Sequence, residues 1–117
     1  MDENILEDIG LSKNEAKIFI SLSELGQTSM VELSKHSKVH RSNVYDAVER
    51  LKEKGLCCVI NMEGKQFYEA SDPEILIRFI KEKEIKILEL IPKLKLNKEL
   101  GTSKSEAAIY EGVAANR

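Results

Sequence analysis

The feature that most restricts the fold of this chain is the stretch from Ser29 to Ala70. It predicts a helix over about residues 30–37, a tight turn, and a second helix over about residues 41–54. Four apolar residues of the second helix recur at helical spacing: Val44, Ala47, Val48 and Leu51. The turn between the two helices is predicted at Ser37-Lys38-Val39, and the seam gives the second helix one apolar face behind its polar start.

A hairpin of strands is predicted immediately after the second helix, which ends at Gly55. Residues 56–62 are rich in β-branched and small apolar side chains. In residues 66–70 apolar and polar side chains alternate, which predicts a second strand paired with the first. The turn between the strands is predicted at Glu63-Gly64-Lys65. The region therefore combines two short helices with a two-stranded hairpin, which is an α+β arrangement.

Two further helices are predicted before this region. Residues 3–9 form a short helix that ends at Gly10, and a longer helix runs from Ser12 to about Leu25. The second of these opens with a capping box, in which Ser12 and Glu15 satisfy each other's backbone N–H groups. Ser29 and Glu32 repeat the same spacing, so a third helix is expected to begin there.

A long helix is predicted from Pro73, because Asp72 is a favourable N-cap and proline is favourable at the first helical position. Pro92 is expected to kink or end it near Ile91, and residues 101–117 are predicted to be loop plus a short strand, or a frayed tail. Its apolar stripe needs cover, for which a second subunit is the simplest source. The predicted dimerisation residues are Leu76, Phe79, Ile80, Ile87, Leu88, Ile91 and Leu94.

The predicted organisation therefore has three parts. Residues 1–71 form a domain of the size typical of DNA-binding domains, residues 72–100 form a long dimerisation helix, and residues 101–117 form a short tail or the remnant of a further domain. The total of 117 residues suits one small core with an appended helix. No apolar run is long enough to span a membrane, and the acidic N-terminus does not resemble a signal peptide. These features favour a cytoplasmic protein without membrane association.

Charge is distributed unevenly along the chain, although the net charge is only −2. Residues 1–34 carry seven acids and two bases, whereas residues 35–65 carry seven bases and four acids. The weak net charge argues against a protein that coats nucleic acid indiscriminately. The basic segment coincides with the second helix of the pair and the hairpin, so one face can still meet phosphate groups.

The start of the second helix carries residue types that suit DNA bases. Arginine makes bidentate contacts with guanine and asparagine with adenine, so Arg41, Ser42 and Asn43 are predicted to contact base edges in the major groove. Glu49 and Glu53 lie further along the same helix and would repel phosphate. Only the first two turns are therefore expected to enter the groove.

Five residues around this helix are predicted to contact the DNA backbone: Lys35, Lys38, His40, Tyr45 and Lys65. Two of these assignments have structural alternatives. Tyr45 equally suits a role in filling the junction between the two helices, with or without a phosphate contact from its hydroxyl. Lys65 equally suits a solvated position in the hairpin turn.

Metal binding and catalysis are not indicated. His36, His40, Cys57 and Cys58 supply ligand types for zinc, but a turn separates the histidines, and adjacent cysteines on a strand point to opposite faces. The cysteines are better explained as small strand residues than as a thiol sensor or a disulfide. Motifs for phosphate loops, metalloproteases and hydrolases are absent, so we predict no enzyme activity and no cofactor. A small-molecule effector is not identified.

Three segments together resemble the N-terminal domain of the TrmB-like archaeal transcription regulators. They are GLSKNEAKIF (Gly10–Phe19), RSNVYDAVERLKEKGL (Arg41–Leu56) and FYEASDPE (Phe67–Glu74). The resemblance implies a winged helix, operator binding through Arg41, Ser42, Asn43 and Tyr45, and dimerisation through the helix after the wing. Fuller members continue into a sugar-sensing domain, of which residues 105–117 resemble only the first strand, so sugar sensing is not carried over. His40 stands where the family often has proline.

We therefore predict an α+β winged helix-turn-helix protein with a long dimerisation helix, which binds double-stranded DNA sequence-specifically as a homodimer and regulates transcription. The alternative is a winged-helix module of the transcription machinery that binds protein, using the side of Glu49 and Glu53. A third possibility is a remnant that dimerises without regulating.

Overall fold

The computed structural model describes the backbone of residues 2–115 and the side-chain surroundings of residues 2–101. It divides into two compact units, Met1–Ile80 and Lys81–Arg117. In chain order the elements are α1 Glu3–Asp8, α2 Lys13–Leu25, α3 Met30–Ser37, α4 Arg41–Glu53, β1 Cys57–Met62, β2 Lys65–Ala70 and α5 Ile75–Ala115. The order of helices and strands up to residue 70 agrees with the sequence prediction.

Side-chain caps determine where α2 and α3 begin. The Ser12 hydroxyl accepts a hydrogen bond from the Glu15 N–H at 3.1 Å, and the Glu15 carboxylate accepts one from the Ser12 N–H at 2.9 Å. The predicted capping box of α2 is therefore present. At α3 the Ser29 hydroxyl accepts from the Glu32 N–H at 3.2 Å, which satisfies one orphan N–H of the first turn.

The turn between α3 and α4 is built by Lys38 and two serines. Lys38 ends α3 in the left-handed conformation, with φ of 60°. The Ser34 hydroxyl donates to the Val39 carbonyl at 3.0 Å, and the Ser37 hydroxyl accepts from the Val39 N–H at 3.3 Å. These bonds satisfy the backbone of a turn that is too short for regular structure.

The core of the first unit lies among the helices and the inner side of the hairpin. All four predicted seam residues of α4 are buried, from 0 to 2% exposed. They are Val44, Ala47, Val48 and Leu51. Other fully buried apolar residues include Ile18 and Leu22 from α2, Leu33 from α3 and Leu56 before β1. Burying this face of α4 leaves its opposite face in solvent.

The hairpin turn is shorter than predicted. Met62 pairs with Lys65, so only Glu63 and Gly64 form the turn and Lys65 is the first residue of β2. Both turn residues have positive φ, 49° and 78°, which is the arrangement that matches the twist of two paired strands. A short bridge between Thr28 and Tyr68 attaches the hairpin to the segment between α2 and α3.

Helix α5 differs from the prediction at both ends. Asp72 acts as expected, because its carboxylate accepts from the Glu74 N–H at 2.9 Å, but the α-helix begins at Ile75 after a turn. Pro92 lies inside α5, which continues to Ala115. An end of the helix at Ile91 is therefore wrong, as are the loop and strand expected after residue 101; the alternative of a kink at Pro92 stays a prediction, and residues 116–117 lie outside the described residues. The flanking Leu, Lys and Glu residues are strong helix formers and outweigh a single proline.

Two of the predicted dimerisation residues contribute to the core of their own chain. Phe79 is 8% exposed and belongs to the core cluster of the first unit, and Leu76 packs partly buried against that cluster. The first turns of α5 therefore complete this unit. Within the described residues, no helix is both long and apolar enough to cross a membrane.

Candidate nucleic-acid interface

The first turn of α4 presents three polar side chains to solvent. Arg41, Ser42 and Asn43 are all exposed, and the buried Val44 that follows anchors the helix from the other side. The side chains of Arg41 and Asn43 make no hydrogen bond or ion pair with any described residue. They are therefore available to an external partner with donors and acceptors of matching geometry.

His40 has a structural role that the sequence analysis did not predict. It is the N-cap of α4, and its ring Nδ1 accepts a hydrogen bond from the Ser42 N–H at 3.3 Å. The same nitrogen lies 3.0 Å from the Ser42 hydroxyl. The backbone of His40, with φ of −58° and ψ of 141°, matches the range of proline. The residue therefore replaces a proline geometrically and adds a side-chain cap.

All five residues predicted to contact the DNA backbone are exposed: Lys35, Lys38, His40, Tyr45 and Lys65. Lys35 and Lys38 lie at the end of α3 and in the turn before α4, and Lys65 lies at the tip of the hairpin. In the chain, Lys35 and Lys38 precede α4 and Lys65 follows it. Their assignment to phosphate stays a prediction.

Tyr45 lies on the flank of α4 that faces the hairpin. Burial raises the pKa of Tyr68 on β2, Tyr45 raises it further, and Lys52 lowers it. Tyr45 and Lys52 therefore both lie near β2. The ring of Tyr45 is 47% exposed, which is compatible with partial packing at this junction together with an accessible hydroxyl.

The acidic part of α4 is partly neutralised. The Lys52 ammonium lies 3.1 Å from the Glu49 carboxylate, one turn along the exposed surface. Exposed pairs of this kind contribute little to stability, but they reduce the repulsion that Glu49 exerts on a phosphate. Glu53 remains exposed at the end of the helix.

The end of α4 is tied to the start of α2 by a partly buried ion pair. The Lys54 ammonium lies 2.5 Å from the same Glu15 carboxylate that completes the capping box. Glu15 is only 2% exposed. The contact joins residues that are 39 positions apart, and it was not predicted from the sequence. Its only sequence signal is the acidic capping residue.

The two histidines and two cysteines have separate surroundings. The His36 ring approaches the Ser21 hydroxyl on α2, whereas His40 caps α4. Burial raises the pKa of the Cys57 thiol to about 11, so this group stays protonated, and Cys58 is exposed. No cluster of three or more metal-binding side chains occurs among the residues that the structure describes.

A three-helix core with a helix-turn-helix pair, followed by an antiparallel hairpin, defines the winged helix-turn-helix class of DNA-binding proteins. The family profile described as sugar-specific transcriptional regulator TrmB matches residues 6–74, more than half of the sequence. The chain belongs to the TrmB family of transcription regulators.

One similar protein is the HTH-type sugar sensing transcriptional regulator TrmBL1 of Pyrococcus furiosus. It is 27% identical over 96 residues, which cover 80% of this chain and 28% of the relative. The chain thus spans about a quarter of the length of that relative.

Two solved structures show the same fold. The archaeal chromatin protein TrmBL2 aligns with a TM-score of 0.75 at 24% identity, covering 93% of this chain and 42% of its own. A MarR family transcription regulator aligns with a TM-score of 0.53 at 14% identity, covering 94% and 78%. The α+β winged-helix fold with a long C-terminal helix is therefore confirmed.

Proposed function

We propose that this protein is a homodimeric regulator that binds double-stranded DNA sequence-specifically. The observation that carries the proposal is the first turn of α4, where Arg41 and Asn43 are exposed and have no hydrogen-bonding partner among the described residues. A helix start with these side chains fits the major groove. The hairpin next to it, with Lys65 at its tip, is placed as a wing.

In this proposal the contacts divide into two groups. Arg41, Asn43 and the hydroxyl of Ser42 contact base edges, and the cations around the start of α4 contact phosphates. Ser42 also interacts with His40, so its orientation depends on the cap. Because Glu49 and Glu53 carry negative charge, only the first two turns of α4 enter the groove.

The proposed dimer surface lies on α5 beyond the first unit. Ile87, Leu88 and Leu94 are each more than half exposed, at 53, 59 and 52%. Ile91 is partly exposed on the same stretch, and Ile80 precedes it at 41%. Apolar side chains concentrated in this way on a solvent-exposed helix need cover from another surface. A second α5 would supply it and hold two recognition helices about 34 Å apart, one turn of DNA.

The DNA-binding part is tested by selecting bound fragments from genomic DNA and titrating the recovered site with wild-type protein and Arg41→Ala. We expect the substitution to weaken binding by about 1–3 kcal/mol and to relax preference at one base pair. Arg78→Ala, an exposed arginine on α5, is the matched control and should bind as the wild type does. Equal affinity of Arg41→Ala and the wild type would refute the assignment.

The protein-binding alternative makes a different prediction about salt. DNA affinity should fall linearly on a log–log plot, with a slope near −0.9 for each phosphate contacted. A docking surface built on apolar contacts would respond weakly to salt.

The dimer is tested by sedimentation analysis of the wild type and Ile87→Lys. The lysine side chain would place a charge in the proposed dimer surface, so the protein should shift to monomer. DNA binding should weaken, because the two recognition helices that bind the two half-sites are no longer held together. Lys93→Gln, which changes an exposed residue of the same helix, should remain dimeric. A wild-type protein that stays monomeric at micromolar concentration would contradict the proposal.

A further inference from the structure

A polar cleft of about 330 Å³ lies between the start of α2 and one flank of α4. The helix α2 contributes Lys13 and Asn14 next to its cap, and α4 contributes Asn43, Asp46 and Arg50. The DNA contacts proposed above do not include Lys13 or Arg50. The cleft is open to solvent, so a group on another molecule can reach it.

The two cations of the cleft are unpaired with respect to the described residues 2–101. The side chains of Lys13 and Arg50 are exposed and make no ion pair or hydrogen bond with any residue that the structure describes. This differs from Lys52 and Lys54, which are paired with Glu49 and Glu15.

Asp46 contributes the only carboxylate among the side chains that line the cleft, so two positive charges face one negative charge. Because Asp46 is not within ion-pair distance of either cation, their donors remain available. The excess of one positive charge favours an anion in the cleft.

The position of the cleft relates it to the proposed DNA surface. Asn43, Asp46 and Arg50 recur at intervals of three and four, so they occupy one flank of α4. Tyr45 and Lys52 are seven positions apart, so they share the opposite flank of α4, and both act electrostatically on Tyr68 of the hairpin. A helix in the major groove lies between two phosphate backbones, and a wing on one side of the helix can contact only one of them. The cleft faces the other side of the helix and begins at Asn43, within the first turn.

We propose that Lys13 and Arg50 bind a phosphate group of the DNA strand that borders the major groove on the side of α4 away from the wing. This inference depends on the proposed DNA-binding function. The guanidinium of Arg50 can hold two phosphate oxygens at once, and the ammonium of Lys13 adds a third donor from a different helix. The amide of Asn14, which also lines the cleft, provides a further donor. Contacts on both flanks would determine how α4 is rotated in the groove.

The main experiment compares wild-type protein with the double variant Lys13→Gln/Arg50→Gln on the selected DNA site over a range of salt concentrations. We expect the log–log slope to become shallower by about 0.9, which corresponds to an affinity loss of about eightfold at 0.1 M salt. The ratio of affinities for the selected site and a scrambled site should stay unchanged, because phosphate contacts carry no base information. An unchanged slope and affinity would overturn the proposal.

Control variants separate this effect from charge loss and from misfolding. Lys86→Gln/Lys93→Gln removes the same charge from exposed positions of α5 and should leave the slope unchanged. An equal change in this control would overturn the proposal, because the effect would then be general. The single variants Lys13→Gln and Arg50→Gln should each cause part of the loss, and thermal unfolding by circular dichroism should match the wild type.

Failure of this inference is distinguishable from failure of the proposed function. If the wild-type protein binds no DNA, the proposed function fails and this inference fails with it. If it binds DNA but the double variant behaves identically, only this inference fails. Inorganic phosphate is titrated separately onto the free protein and followed by backbone amide shifts. Shifts at Lys13 and Arg50, together with an unchanged DNA slope in the double variant, would assign the cleft to a free anion and overturn its assignment to DNA.

Discussion

The contact between Glu15 and Lys54 gives a sharp prediction about the stability of the DNA-binding unit. The Glu15 carboxylate is 2% exposed and accepts hydrogen bonds from both the Ser12 N–H and the Lys54 ammonium. The Lys54 side chain is 28% exposed. The two partners are thus unequally buried, and removing one of them should cost more than removing the other.

Lys54→Met leaves a buried carboxylate without its cation. Breaking a fully buried pair in this way costs about 3–5 kcal/mol, and the partial exposure of Lys54 lets water reach the site, so we expect a loss of about 2 kcal/mol. Glu15→Gln leaves a neutral amide whose oxygen still accepts from the Ser12 N–H, and Lys54 can turn into solvent. We expect that change to cost about 1 kcal/mol.

The double variant completes a thermodynamic cycle. With no charge left in the contact, Glu15→Gln/Lys54→Met should cost about as much as Glu15→Gln alone, well below the sum of the single changes. The assay is urea unfolding followed by circular dichroism at one fixed protein concentration, because dimerisation would make the midpoint concentration-dependent. A smaller loss for Lys54→Met than for Glu15→Gln, or additive losses, would refute the reasoning.

Four further outcomes are expected. Gly64→Ala should destabilise the protein by about 1 kcal/mol, because φ is 78° there although nothing crowds the added methyl group; Gly64→Asn should cost less, and both are measured by urea unfolding. Phe79→Ala should cost about 3–5 kcal/mol in the same assay without requiring a change in dimer affinity, because the ring is 8% exposed in its own chain. Ellman's reagent at pH 8 should modify Cys58 and spare Cys57, whose pKa is about 11. Unfolding in urea should expose the second thiol to the reagent, whereas two thiols that react equally fast in the folded protein would contradict the prediction. His40→Ala should weaken DNA binding through loss of the α4 cap, and His40→Ser should restore part of it; equal binding of all three proteins would argue against the cap.

Local signals accounted for most of the element order. The capping box at Ser12 and the periodic seam of α4 depend only on residues within a few positions of each other. The structure confirms each of them. The wing was also recognisable, although its turn is one residue shorter than predicted because Glu63 adopts a left-handed conformation that glutamate rarely takes.

The prediction for α5 failed where one strong local signal competed with many weak ones. Proline removes one backbone N–H and clashes with the preceding turn, so Pro92 was expected to kink the helix or to end it near Ile91. The residues on either side carry high helix propensity, and their summed preference continues the helix through Pro92. Periodicity alone also did not distinguish Phe79, which completes the core of its own chain, from exposed members of the same stripe such as Ile87.

The sequence by itself determined the winged-helix order of elements, the exposed polar start of α4 and the family resemblance, because caps, periodicity and motifs act over short stretches of chain. Only the tertiary structure decided which residues from distant stretches meet. It joined Lys54 to Glu15, turned His36 towards Ser21, and placed Lys13 beside Arg50 in one cleft. Such contacts depend on how helices pack in three dimensions, and spacing along one chain carries no direct record of that packing.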